Sequence, residues 1–372
     1  MKKNPRTANV RAGSAAEDIY PAFAYVGCFT NKDGNAHGKG IGVYRIDRLT
    51  GAWTLVQVSD ELHNPGFLVL DRNQRFLYSA HGSSGEISSY SVERKSGKLQ
   101  ILNRQPTGGH NSRYLTIDPA GRYVILNNGP GVVVYPIKRD GSLAPLSDKI
   151  VPPAEPGTFR EEEKGPHPHH MVFDPGGRFM VVPDKGLDKI HVYKLDAANA
   201  KLVANDPPFA ASVYGAGPRH MAFHPAKPFA YVVNEVDSTV AVYHWNSAVG
   251  KLMPRQVITT IPVAHAGKNT GAEIAVAPSG KFVYASNRGH DSIAVFAVDE
   301  GTGTLSPVCW EASQGRKPRF FTLDAGGRLL YAANQDGNSI VSVRVDDVTG
   351  RLTPTGHVIE TGSPTCIVFA YH

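Results

Sequence analysis

YLTIDPAGRYVILNNGPGVVVYPIKRDGSL, residues 114–143, reads as an apolar run, an Asp-Pro-x-Gly turn, a second apolar run ending in Asn, an alternating Val/Tyr run and a turn into Leu. The same order returns in HMVFDPGGRFMVVPDKGLDKIHVYKLDAANAKL from His170, HMAFHPAKPFAYVVNEVDSTVAVYHWNSAVGKL from His220 and EIAVAPSGKFVYASNRGHDSIAVFAVDEGTGTL from Glu273. FFTLDAGGRLLYAANQDGNSIVSVRVDDVTGRL from Phe320 and FLVLDRNQRFLYSAHGSSGEISSYSVERKSGKL from Phe67 complete the interior set. The equivalent positions Phe76, Tyr123, Phe179, Phe229, Phe282 and Leu329 recur about every 50 residues, the period of a four-stranded propeller blade.

The ends supply one further unit. FAYVGCFT from Phe23 matches a second strand, and GIGVYRIDRLTGAWTL matches a third with the turn after it. CIVFAYH at the C-terminus matches the missing first strand. Six complete units plus one shared between the termini predict an all-β, seven-bladed β-propeller over residues 21–372. Joining the C-terminal strand to the N-terminal blade closes the ring and leaves no open sheet edge. Residues 1–20 are expected to form a flexible tail.

Composition narrows the function classes. Charged residues make up 19% of the 372, with Gly 38 and Pro 27, which suits a folded, turn-rich chain and not a disordered one. The net charge of +6 is spread along the sequence with no Lys/Arg block interleaved with aromatics, so no nucleic-acid partner is expected. Mild positive charge does suit small anions. Cys28, Cys309 and Cys366 are too few and too scattered for a disulfide framework and read as reduced thiols of a cytoplasmic protein. MKKNPRTANVRAGSAAEDIYP has no apolar core of a secretory signal, and no stretch approaches the ~20 apolar residues of a membrane span. A monomer or weak homodimer without a membrane partner is expected.

Propeller topology says where chemistry can sit. If strands A to D run outward from the channel, the loops entering A and leaving B open on one face, nearest the axis. The Asp-Pro-x-Gly hairpins lie on the other face and are turn chemistry. Entry loops and B-strand ends bring His169, Arg219, His220, Glu235, Glu273 and Arg288 to one channel mouth, with Lys185 nearby. His110 and Arg319, from further entry loops, are candidates for substrate contact. This is the makeup of a site that handles an anion by acid–base chemistry. The bland alternative is a surface ion pair of Glu235 and Arg219 bracing two strands, worth about 0–1 kcal/mol. His167 and His169 share a side in an extended segment, but no tight carboxylate or Cys pattern accompanies them, so neither a metal nor another cofactor is expected. His170 would then face away from the channel as packing, and Glu161-Glu162-Glu163-Lys164 reads as a solvated loop.

GAGPRHMAFHP, YVVNEVDSTVAVY, EIAVAPSGKFVYASNRGHDSIAVF and KPRFFTLDAGGRLLYAANQ together resemble the lactonase family of propellers, which includes bacterial 6-phosphogluconolactonases and the fungal carboxymuconate-lactonizing enzyme. YVGCFT…GKGIGVYRID and GPHPHHMVFDP…VVPDKGLDKIHVY fit as well, so the resemblance runs from about Phe23 to the end. It implies a metal-independent catalytic set of His169, Arg219, Glu235 and Arg288, with either Glu235 or His169 as base. The activity it implies is hydrolysis of a sugar-acid lactone in carbohydrate metabolism, 6-phosphogluconolactone of the pentose phosphate pathway foremost. A cycloisomerase closing a muconate-type diacid uses the same residues. A non-catalytic propeller presenting a face to a partner protein is the alternative outside enzymes.

Overall fold

The computed structural model describes residues 20–31, 35–60, 62–154 and 165–371. The expected tail, except Tyr20, and the Glu161–Lys164 loop lie outside them. The described residues form seven four-stranded antiparallel sheets arranged as the blades of a propeller. Blade 1 joins β28 (Pro364–Ala370) to β1 (Phe23–Cys28), β2 (Ile41–Ile46) and β3 (Trp53–Ser59). Blades 2 and 3 are β4 (Pro65–Leu70) to β7 (Leu99–Pro106), and β8 (Leu115–Ile117) to β11 (Asp148–Ile150). Blades 4 and 5 are β12 (Val172–Phe173) to β15 (Lys201–Ala211), and β16 (Pro218–Phe223) to β19 (Lys251–Thr259). Blades 6 and 7 are β20 (Thr270–Val276) to β23 (Leu305–Ala312), and β24 (Pro318–Leu323) to β27 (Leu352–Glu360).

The repeat now has physical causes. Second strands such as β17 (Phe229–Asn234) are buried on both faces between neighbouring blades, which is why they read as unbroken apolar runs. Outer strands such as β19 alternate, because one face meets solvent. Each Asp of the inner hairpin closes its own turn: Asp118 Oδ1 accepts from the backbone N–H of Arg122 and Tyr123 at 2.5 and 2.6 Å. Asp174 does the same for Arg178 and Phe179, both at 2.8 Å.

The glycine of the outer turn and the aromatic at the start of the second strand are one device. Gly303 has φ +75°, and a Cβ there would sit 2.4 Å from the Phe229 ring of the preceding blade. Gly350 stands in the same relation to Phe282, and its carbonyl also accepts a 3.3 Å hydrogen bond from Tyr284. The same contact joins Phe23 to Gly97, Phe76 to Gly141 and Phe179 to Gly250, so five blades lean an aromatic ring on their successor's turn, where a Cβ would not fit.

Ring closure follows the expected pairing: Phe23 faces Ala370, Tyr25 faces Val368 and Gly27 faces Cys366 across β1 and β28. Burial of Ile367 and Phe369 against blade 7 contributes about 2 kcal/mol each. A chain ending at residue 361 exposes both that surface and the inner edge of β1. Its thermal unfolding, followed by calorimetry, should lose the single cooperative transition; a melt as sharp as that of the full chain would contradict the closure.

Candidate active site

Strand register places three residues of each blade at the channel mouth. Pro218 pairs with Asn234 and His220 with Val233 in blade 5, and the same pairing recurs as Pro318 with Asn334 and Phe320 with Ala333 in blade 7. Counting each blade by these pairs gives an upper ring of Gly66, Arg113, His169, Arg219, Ala272, Arg319 and Thr365. One residue further along each strand lies a lower ring of Phe67, Tyr114, His170, His220, Glu273, Phe320 and Cys366. The residue that follows the Asn234 position of each second strand gives Phe29, Gly82, Gly129, Lys185, Glu235, Arg288 and Gln335.

The lower ring is a floor. Phe67 lies 4.2 Å from Tyr114 and 5.7 Å from Phe320, Tyr114 lies 4.2 Å from His170, and His170 stacks on His220 at 4.5 Å between ring centroids. His170 is packing, but within this layer and not facing away from the channel as expected: it is buried, and its Nδ1 accepts from the Met221 backbone N–H. Above the floor opens a cavity of about 380 Å³, the lower part of the usual small-ligand range of roughly 300–1,000 Å³. Its walls are open where Gly66, Gly82 and Thr365 stand, since these rings carry little side chain there.

Two carboxylates meet different surroundings. Glu235 is gripped by Lys185 Nζ at 3.1 Å, Arg219 Nε at 2.8 Å and Arg288 Nη2 at 3.1 Å. Burial alone would raise its pKa, but Arg288, Arg219 and Lys185 outweigh burial and hold it well below the usual carboxylate range. Glu273 sits in the floor, bonded to His220 Nδ1 at 2.9 Å, and burial pushes its pKa up to about 7. Burial, with the charge of Arg219, holds His220 and His169 well below the usual imidazole value. Burial thus favours the neutral form of both, and Glu273 and His220 are a hydrogen-bonded pair and not a fixed ion pair. His220 Nε2 in turn lies 3.1 Å from His169 Nδ1, so a hydrogen-bonded chain runs Glu273–His220–His169 and ends at the cavity wall.

Of the residues expected at the mouth, His169, Arg219, His220, Glu273, Arg288 and Arg319 line the cavity. Glu235 and Lys185 stand behind it, Glu235 in contact with both Arg219 and Arg288. His110 is a correction: it is exposed and outside the lining, because Asn111 at φ +70° turns the chain so that Asn111, Ser112 and Arg113 face the cavity instead. Arg113, not among the residues expected at the mouth, also lines the cavity and occupies the same ring position as Arg219 and Arg319. His167 stacks parallel to His169 at 5.9 Å, and among the described residues no group of three or more His, Cys, Asp and Glu gathers as metal ligands would.

A model of the family described as lactonase, 7-bladed beta-propeller, matches residues 23–369. A 6-phosphogluconolactonase of Bacillus subtilis is 32% identical over 307 residues, covering 81% of this chain and 85% of the relative. A solved Bacteroides fragilis structure superposes with a TM-score of 0.86 at 30% identity, covering 96% of this chain and 99% of that one. The periplasmic gluconolactonase of Pseudomonas aeruginosa gives a TM-score of 0.86 at 29% identity, covering 94% and 98%.

Removing the one ionised carboxylate among these cations has a defined cost. Glu235→Gln leaves Lys185, Arg219 and Arg288 facing each other without compensation, and stability should fall by about 3 kcal/mol. Added sulfate or phosphate should restore part of it. A denaturant midpoint equal to that of the parent protein would show that Glu235 does not balance the arginines.

Proposed function

Because the chain belongs to the lactonase family of seven-bladed β-propellers, we propose that this cavity hydrolyses a sugar-acid lactone, with 6-phosphoglucono-1,5-lactone the favoured substrate. The observation that carries the mechanism is the Glu273–His220–His169 chain ending beside Arg219 and Arg288. With Glu273 ionised, His220 donates Nδ1–H to it and accepts at Nε2 from His169 Nδ1–H. His169 Nε2 is then left with a lone pair, and it is the ring nitrogen on the side away from His220.

Water attacks the lactone carbonyl carbon as His169 Nε2 takes its proton. Positive charge on His169 is relieved by passing protons along the chain toward Glu273, whose pKa near 7 matches the task. Arg219 Nε is held by Glu235 and Nη1 by the Ala272 carbonyl, which aims the rest of the guanidinium at the cavity. Arg288 is fixed likewise, through Nη2, by the Gly271 carbonyl and Glu235. Both are placed to stabilise the oxyanion that forms. Its collapse breaks the bond to the ring oxygen, which takes the proton back from His169. Glu235 is the positioning partner of the arginines and not the base, since three cations keep its lone pairs occupied.

The free thiols Cys28, Cys309 and Cys366 support a cytoplasmic setting, and a small anionic lactone is the partner that the mouth suits. The test is hydrolysis of 6-phosphogluconolactone, followed in a pH-stat. kcat/KM should rise with pH through about 7 and then level, because Glu273 must lose its proton for the relay to run. Glu273→Gln should abolish that inflection, and His169→Ala should cost about 100-fold. EDTA should leave turnover intact. A flat pH profile together with full activity in His169→Ala would overturn the mechanism.

A further inference from the structure

The mouth holds more positive charge than opening a lactone uses. Arg219 and Arg288 share Glu235 and lie beside His169, on blades 5 and 6. Arg319 enters from blade 7, nearly across the axis from His169. Among the described residues it makes no hydrogen bond and no close ion pair, and Glu235 acts on it only through longer-range charge. Its guanidinium carbon lies 5.0 Å from the centre of the Phe29 ring, a cation–π contact between two residues that both line the cavity. Lys317, two residues earlier, is by contrast tied to Asp336 at 3.3 Å.

We propose that Arg319 reads the phosphate of the substrate and so sets the preference for phosphorylated over unphosphorylated lactones. The proposal rests on the lactonase reading above and assigns the pole of the site opposite the carbonyl. A lactone ring opening develops a single negative charge, and Arg219 with Arg288 already serves it. A further guanidinium, partly buried and remote from His169, calls for a second anion on the same molecule. The planar fork of N–H donors of a guanidinium matches a phosphate monoester, which accepts two parallel hydrogen bonds. Burial and the nearby Arg219, Arg288 and Arg113 disfavour its charge, and a bound dianion would offset them. Its seat is also built for it. A Cβ at Gly66 would approach Phe29 Cε1 to 3.0 Å, so the glycine keeps the ring where the guanidinium rests.

The experiment compares kcat/KM for 6-phosphoglucono-1,5-lactone and glucono-1,5-lactone in the parent protein, Arg319→Met and Arg319→Lys. In Arg319→Met the ratio of the two should fall about 100-fold, the loss of two charge-assisted bonds, and mainly through KM for the phosphorylated substrate. Arg319→Lys should fall between the two. Equal losses on both substrates, or a parent protein that prefers the unphosphorylated lactone, would overturn the assignment. Thermal stabilisation by inorganic phosphate is read without turnover: the parent melting temperature should rise and that of Arg319→Met should not. Absent or equal rises overturn the proposal even if no lactone is turned over, whereas a parent that binds phosphate through Arg319 but opens neither lactone sinks the lactonase mechanism alone.

Discussion

Seven innermost strands begin at one narrow mouth, and each must dispose of its first side chains in a space shared with six others. The register between first and second strands in every blade decides which residues those are. Aromatic rings and His220 close the lower level, small residues open half of the upper level, and the charged groups are left facing one small cavity. Because the same pairing recurs in all blades, a change of one residue in the register of any blade would exchange a floor residue for a wall residue.

Within that frame, chemistry is divided by environment and not by residue type. Glu235 and Glu273 are both glutamates near Arg219, yet one is kept ionised by three contacting cations while the other is raised by burial to about 7. Pairs of titratable groups pushed in opposite directions mark acid–base roles. In the proposed mechanism the group held ionised organises the arginines, and the group poised near neutrality receives the proton. Arg219 is nearly inaccessible and Arg288 almost so, which lets their charges act with little screening by water.

Most of the fold was legible because the repeat is written in residues with a local duty. Asp118 and Asp174 close turns, and Gly303 and Gly350 leave room for a ring of the neighbouring blade, so their spacing survives in most units. The mouth was legible for the same reason: Arg219 and His169 stand at fixed offsets from those turns. Contacts between blades were not. Nothing in the spacing of His220 and Glu273, 53 residues apart, announces that their side chains bond at 2.9 Å. His110 was misplaced because a single left-handed residue, Asn111, turns its loop, and a positive φ at Asn leaves only a weak mark in sequence.

The relay makes a claim about protons that can be observed without substrate. Imidazole nitrogen NMR on histidine-labelled protein, with His169 and His220 assigned from difference spectra of His169→Gln and His220→Gln, reports which ring nitrogen carries hydrogen. Above pH 7, with Glu273 ionised, both rings should be neutral with the proton on Nδ1, and His169 Nε2 should be bare. A neutral His169 protonated at Nε2 over that range, or a charged His220, would contradict the account.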